Sequence, residues 1–221
     1  MDVNFKKNKI IIMITKKLVW IPILFIAITV SAQSKLDVEL VKKLEEIQRS
    51  DQENREKLID ILEKEGKDSK KFKELNKKIK VIDSSNMVQV AKILDERGWL
   101  GEDVVGKQGN ITLFLVVQHA NLETQKKYLP MLKDAVKKGN AKPSFLAMLT
   151  DRVAMLDGKK QIYGSQLNTN EKTGELYVHP IEDPDNVDKR RAEVGLGKLS
   201  DYLAMYGLKW DISEHKKLNM N

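Results

Sequence analysis

From Leu36 to about Glu65 the apolar residues Leu40, Leu44, Ile47, Leu58 and Leu62 recur at three- and four-residue steps. That is the period of one helix face, and it predicts a long amphipathic helix. Continuing the stripe through its gap places Asp51 and Arg55 on the same face, with Gln48 and Gln52 beside them, so polar residues interrupt the side that should be buried. The charge-rich stretch Glu63 to Lys71 reads as a turn and a new helix start. Phe72, Leu75, Ile79 and Ile82 then resume the period, and a second long helix, or two joined near Asp83, runs to Arg97 and stops at Gly98 as a left-handed cap. Trp99 to Asn110, with Gly101, Gly106 and Gly109 and no period, reads as a loop.

The solid apolar run Ile111 to Val117 leaves strand or buried helix open. Helix is favoured because the pattern continues past Gln118-His119-Ala120-Asn121 through Leu122, Leu129, Leu132 and Val136, with a kink or restart expected at Pro130. After a loop at Lys137 to Lys142, Pro143-Ser144 opens a helix that carries Arg152 and ends at the Asp157-Gly158 turn. Gln161 to Gln166 and Glu175 to His179, separated by the polar Asn168 to Gly174, read as a β-hairpin. Asp185 is placed to cap a helix through Val187 and Val194, and Leu199, Tyr202, Leu203 and Tyr206 form a last amphipathic turn or two before a polar tail. The expectation is a mainly α fold, a single helical domain with one small β-hairpin over residues 33–221.

The N-terminus follows another logic. Lys6, Lys7, Lys9, Lys16 and Lys17 precede the apolar run Leu18 to Val30, and Ser31-Ala32-Gln33 follows. This reads as a secretory signal peptide over residues 1–32, the run being too short for a bilayer-spanning helix of about 20 residues. An uncleaved anchor is the alternative, since Ile10 to Ile14 extend the apolar stretch. The expected setting is export to a bacterial periplasm or cell surface, without stable membrane insertion after cleavage.

That reading changes what the charge means. The whole chain of 221 residues carries a formal +7, but removing residues 1–32 takes away five lysines and Asp2 and leaves 34 basic and 31 acidic residues, a net +3. So small a balance argues against dedicated nucleic-acid binding. The lack of cysteine excludes a disulfide framework, a thiolate metal site and a thiol nucleophile. With 41% hydrophobic residues the chain has enough apolar content for a globular core.

The chain has no nucleophile-elbow, phosphate-loop or zinc-protease motif, and its histidines, His119, His179 and His215, lie far apart in sequence. No cofactor and no metal are expected. The informative signal is polar residues where the helical period predicts burial: Asp51 and Arg55; Gln118 and His119; Asp151 and Arg152; Gln161 and Gln166 flanking Tyr163-Gly164-Ser165. Burying a polar group without a partner costs roughly 1–3 kcal/mol, so such residues must pair with one another or serve a ligand.

The pieces Asp51-Gln52-x-x-Arg55, Asp83-x-x-Asn86, Gly98-Trp99, Gln118-His119-Ala120-Asn121, Asp151-Arg152, Gln161-x-Tyr163-Gly164-Ser165-Gln166, Pro180-Ile181-Glu182-Asp183 and Asp188-x-Arg190-Arg191 occur in this order. Together they resemble an uncharacterised bacterial family, a domain of unknown function frequent among exported Bacteroidetes proteins. Asn121 and Ser165 stand where that family looks to prefer Asp and Thr. The resemblance implies a shared polar site, with a family-like core at about 51–206, and supplies no activity.

Within those motifs His119 is the one histidine and the candidate general acid or base, its imidazole oriented by Asp51 or Asp151. His119 and Asp151 are therefore the candidate catalytic residues. Asp51, Gln52, Arg55, Gln118, Arg152, Gln161, Tyr163 and Gln166 are the candidate ligand-binding residues, and all ten are expected to converge on one cleft. A hydrolase or lyase acting on a cell-envelope peptide or glycan fits the expected compartment, with a small polar ligand or peptide as partner. A non-catalytic periplasmic binding or immunity-like module is the competing reading. A third makes Asp51, Arg55, Asp151 and Arg152 a core ion-pair network that fixes helix register.

Overall fold

A computed structural model describes residues 36–170 and 173–218, which lie in one compact unit within Gln33–Asn221. The expected export signal falls outside the described residues. The fold is mainly α, with eight α-helices and one two-stranded antiparallel sheet among the described residues. Among those residues no helix is long and apolar enough to cross a membrane.

Helices α1 (Val38–Glu65) and α2 (Lys70–Arg97) start where short polar side chains replace missing helical bonds. The Asp37 carboxylate accepts from the Leu40 N–H and the Ser69 hydroxyl from that of Phe72. The two helices run antiparallel: Arg97 at the end of α2 pairs with Asp37 before α1, and Ser50 in α1 bonds Asn86 in α2. Leu40, Leu44 and Ile47 of the predicted stripe are buried, and α2 is one continuous helix through Asp83.

The expected loop at Trp99 to Asn110 is instead mostly helix. α3 (Glu102–His119) begins there and kinks at Gly106, whose φ of 69° breaks the period. Gly109 is a packing glycine, since a Cβ there would stand 3.0 Å from Leu44 Cδ1, so its missing side chain lets α1 and α3 approach. α3 ends earlier than the continuous pattern suggested, because Asn121 accepts from the Thr124 N–H and caps α4 (Leu122–Lys137). The Gln125 side-chain amide donates to the carbonyls of Gln118 and Ala120, satisfying the end of α3. α4 passes through Pro130 without a restart; Tyr128, Leu132 and Ala135 bury on either side of it. With α5 (Pro143–Leu156) these helices enclose the larger core, in which Phe114 and Phe145 stack at 4.4 Å between ring centroids.

The hairpin lies later than its predicted first strand. β1 (Leu167–Thr169) pairs with β2 (Leu176–Val178) in the register Leu167 to Val178, while Gln161 to Gln166 form a loop whose backbone meets the segment after β2 in a Gln161–Ile181 bridge and a His179 N–H to Gln166 carbonyl bond. α6 (Val187–Glu193) follows a 3-10 turn at Pro184–Asn186. Asp185 does not cap it but pairs with Lys216 at 2.6 Å. α7 (Leu199–Ala204), β2, Ile181 after it and the start of α6 supply the smaller core of Val178, Ile181, Val187, Leu199 and Leu203. The polar tail is structured as well. α8 (Ile212–Leu218) buries His215, whose Nε2 accepts from the Ile181 N–H beside the Trp210 ring.

Candidate functional site

The polar interruption of the α1 stripe is the start of the site. Asp51 is 3% exposed, and one turn on, Arg55 donates from Nη2 to Asp51 Oδ1 at 3.3 Å and to Asp83 Oδ1 of α2 at 2.5 Å. From the end of α3, His119 Nδ1 reaches the same Asp51 Oδ1 at 3.0 Å, and Gln52 Nε2 donates to Asp51 Oδ2 at 2.5 Å. Burial pushes the Asp51 carboxyl up, but the hydrogen bond and charge of His119 and the neighbouring Arg55 prevail and hold it at about 2. An ionised Asp51 can only accept, so the Nδ1 proton of His119 is fixed in that bond and Nε2 is the basic nitrogen.

His119 is itself partly open, at 19% of its side-chain surface. It lines a groove of about 570 Å³ between α2 and α4, whose apolar floor includes Met87 and Ala91 and whose rim carries Asp83, Lys80 and Lys127. Asp51, Asp83 and His119 each offer one ligand atom within 4.8 Å of the others, a donor set suited to a divalent cation. The Arg55 guanidinium already bridges the two carboxylates and supplies the positive charge there.

A second network forms around Asp151, which is fully buried in α5. Its carboxylate accepts from the backbone N–H groups of Ile162 (2.7 Å), Tyr163 (3.0 and 3.1 Å) and Ser165 (3.0 Å), and from the Ser165 hydroxyl (2.9 Å). The carbonyls of the same loop are taken by cations and a phenol: Arg190 donates to Ile162, Arg191 to Tyr163 and the Tyr202 hydroxyl to Ser165. Gln161 closes the loop on itself, donating to the carbonyls of Gln166 and His179 and accepting from the Gln166 N–H. Gly164 sits at φ 69° at its tip, where a Cβ would lie 3.0 Å from both Ile181 and Leu199. Loop 161–166 thus has the backbone of Gln161, Ile162, Tyr163, Ser165 and Gln166 paired while it packs into the smaller core.

Of the expected residues, Asp51, Gln52, Arg55 and His119 come together in the first network, and Asp151, Gln161, Tyr163 and Gln166 in the second. Asp151 is committed to the loop, with its oxygens filled by four donor groups. Arg152 joins the two, donating from Nη1 to Gln166 Oε1 at 3.1 Å while feeling the positive charge of Arg55. Gln118 lies next to His119 with its Oε1 buried and without a partner. Asp83, Arg190, Arg191 and Tyr202 complete these networks beyond the candidate list. Asp83 lies seven residues before the buried Val90 on α2, a two-turn step along the helical face, and that spacing was the signal available for it.

A helical domain with a buried carboxylate–histidine pair beside an open groove is the class that fold and site define. The chain belongs to the family described as a family of unknown function (DUF6624), whose model matches residues 38–211. Among curated proteins and among solved structures, nothing matches the chain.

Proposed function

We propose that the protein is a hydrolase or lyase that acts on a cell-envelope peptide or glycan after export, with His119 as general acid or base. One observation carries this reading: a carboxylate held ionised in the interior fixes His119 by Nδ1, and the ring borders a groove large enough for a small polar ligand or a peptide segment. Asp51 orients the imidazole and stabilises its protonated form, and Arg55 balances the charge of Asp51 and Asp83 when the imidazole is neutral. Asp151 acts at one remove, by building the loop that carries Gln166 to Arg152. The basic and apolar N-terminal stretch ending in Ser31-Ala32 supports export, which the intact mass of protein recovered from the envelope tests through a product beginning at Gln33.

The activity is tested by incubating the protein with envelope-derived peptides and glycans while following product formation and thermal shift together. Turnover that falls about 10²–10⁴-fold in His119→Ala with folding retained is the expected result. The extent to which the polar networks are already paired internally favours the second reading, a non-catalytic binding or immunity-like module. Ligand-induced stabilisation without product, unchanged in His119→Ala, would select it.

A further inference from the structure

Arg152 lies in the middle of α5 with its side chain partly buried. Its hydrogen-bond partner is neutral, Gln166 Oε1, and its Nε is buried without an acceptor. The other partly buried arginines among the described residues each have a carboxylate in range. Arg55 bridges Asp51 and Asp83, Arg190 pairs with Asp183, and Arg191 feels the charge of Asp188. Arg152 does not, because the carboxylate next to it in sequence, Asp151, is turned to loop 161–166 and filled there. Burial, and then the like charge of Arg55, push the Arg152 guanidinium below its ordinary range. A partly desolvated cation with a buried unpaired N–H, within the field of a second cation, is a costly arrangement in a folded domain, and an anion bound to it relieves that cost.

The guanidinium is also held in place for such a partner. Gln166 is buried, its Nε2 donates to the Ser165 hydroxyl and the Met148 carbonyl, and its backbone N–H is fixed by Gln161. The Oε1 that meets Arg152 therefore belongs to a side chain with little freedom, and the donor fork is oriented in advance. Arg55 ties this position to the dyad, since it shares Asp51 Oδ1 with His119.

We propose that Arg152, oriented by Gln166 and reinforced by Arg55, is the receptor for an oxyanion of the ligand, a carboxylate or a phosphate. This deepens the reading of His119 and rests on it for the role of the ligand as substrate: the substrate is anionic, and its charged group is the anchor.

The test is a titration of the isotope-labelled full chain with N-acetyl-alanine and, separately, inorganic phosphate, at constant ionic strength with chloride as control. A saturable shift of the Arg152 Nε–H signal by either anion and not by chloride is expected, and the anion that acts at lower concentration identifies the group. Arg152→Gln should weaken that binding by about tenfold or more and Arg152→Lys by less. Should Arg152→Gln not fold, the Nε–H titration of the unaltered protein decides. A flat Nε–H signal with both anions, or an affinity that Arg152→Gln leaves unchanged, overturns the receptor. His119→Ala keeps the two readings separable: unaltered anion affinity with lost turnover supports both, whereas unaltered affinity with unaltered turnover refutes the role of His119 and leaves the receptor standing.

Discussion

Replacing Asp151 by Asn separates a scaffold from a catalyst. The carboxylate is fully buried and accepts from three backbone N–H groups and one hydroxyl. An amide of the same shape keeps one accepting oxygen and turns an NH₂ toward donors that the other oxygen served. The Ile162 N–H bonds Oδ1, the Ser165 N–H and hydroxyl bond Oδ2, and the Tyr163 N–H spans both, so either amide orientation strands one backbone donor, Ile162 or Ser165, and takes the charge from the bonds that remain. Hydrogen bonds to a charged group contribute about 1.5–3 kcal/mol each, and a stranded buried donor costs about 1–3 kcal/mol. The expected loss is on the order of 3–5 kcal/mol, a large part of the 5–15 kcal/mol typical of a domain. Urea unfolding should show a lower midpoint with an unchanged slope, and hydrogen exchange should show the amides of Ile162, Tyr163 and Ser165 losing protection first. A variant within about 1 kcal/mol of the parent, with those amides still protected and turnover abolished, would refute the reasoning and return Asp151 to the chemistry.

Gly164→Ala should cost about 1–3 kcal/mol in the same unfolding assay, because φ is 69° and the added Cβ meets Ile181 and Leu199 at 3.0 Å. Tyr202→Phe removes the bond to the Ser165 carbonyl and should cost about 1 kcal/mol, with the loss confined to the smaller core by hydrogen exchange. Asn121→Ala removes the cap of α4 and should cost about 1 kcal/mol in thermal unfolding. Asp51 is held at about 2 in the fold against an ordinary value near 4, so its contribution is complete above about pH 5 and disappears as pH falls toward 2. The acid limb of the stability profile, measured by urea titration at several pH values, should flatten in Asp51→Asn by on the order of 2 kcal/mol.

Helical periodicity was enough to read α1, α2 and α5, since their apolar stripes are long and uninterrupted by special turns. It failed at Glu102 to Asn110, where glycine carries two opposite meanings. Gly106 does break the helix, but Gly109 is a contact residue against Leu44, and nothing in the local sequence distinguishes them. It failed again at Gln161 to Gln166, whose strand-forming residues are bent into a loop by Asp151, a residue ten positions earlier in another element. Polar residues on predicted buried faces were legible as a set because their burial demands partners. Which partner each one has depends on crossings between helices, so Arg55 meeting Asp83 and Arg190 and Arg191 meeting loop carbonyls lay beyond any single-element pattern.

The two networks differ in how they spend charge, and that difference bears on where chemistry resides. Around Asp151 the negative charge is answered by backbone N–H groups and a hydroxyl, while Arg190 and Arg191 donate to carbonyls of the same loop and Arg190 also pairs with Asp183, and none of these partners is an imidazole. Around Asp51 the partners are a guanidinium and an imidazole, and the imidazole is the one whose second nitrogen is left free of the carboxylate. A proton arriving at His119 Nε2 finds Asp51 already ionised and bonded to Nδ1, so the new charge is stabilised without moving any heavy atom. On the proposed role of His119, replacing Asp51 by Asn should lower turnover even where the protein remains folded, and rescue by Asp51→Glu should be incomplete because an added methylene displaces the oxygen that Arg55 and His119 share. Full activity in folded Asp51→Asn would show that the imidazole works without its partner and that the pair serves packing alone.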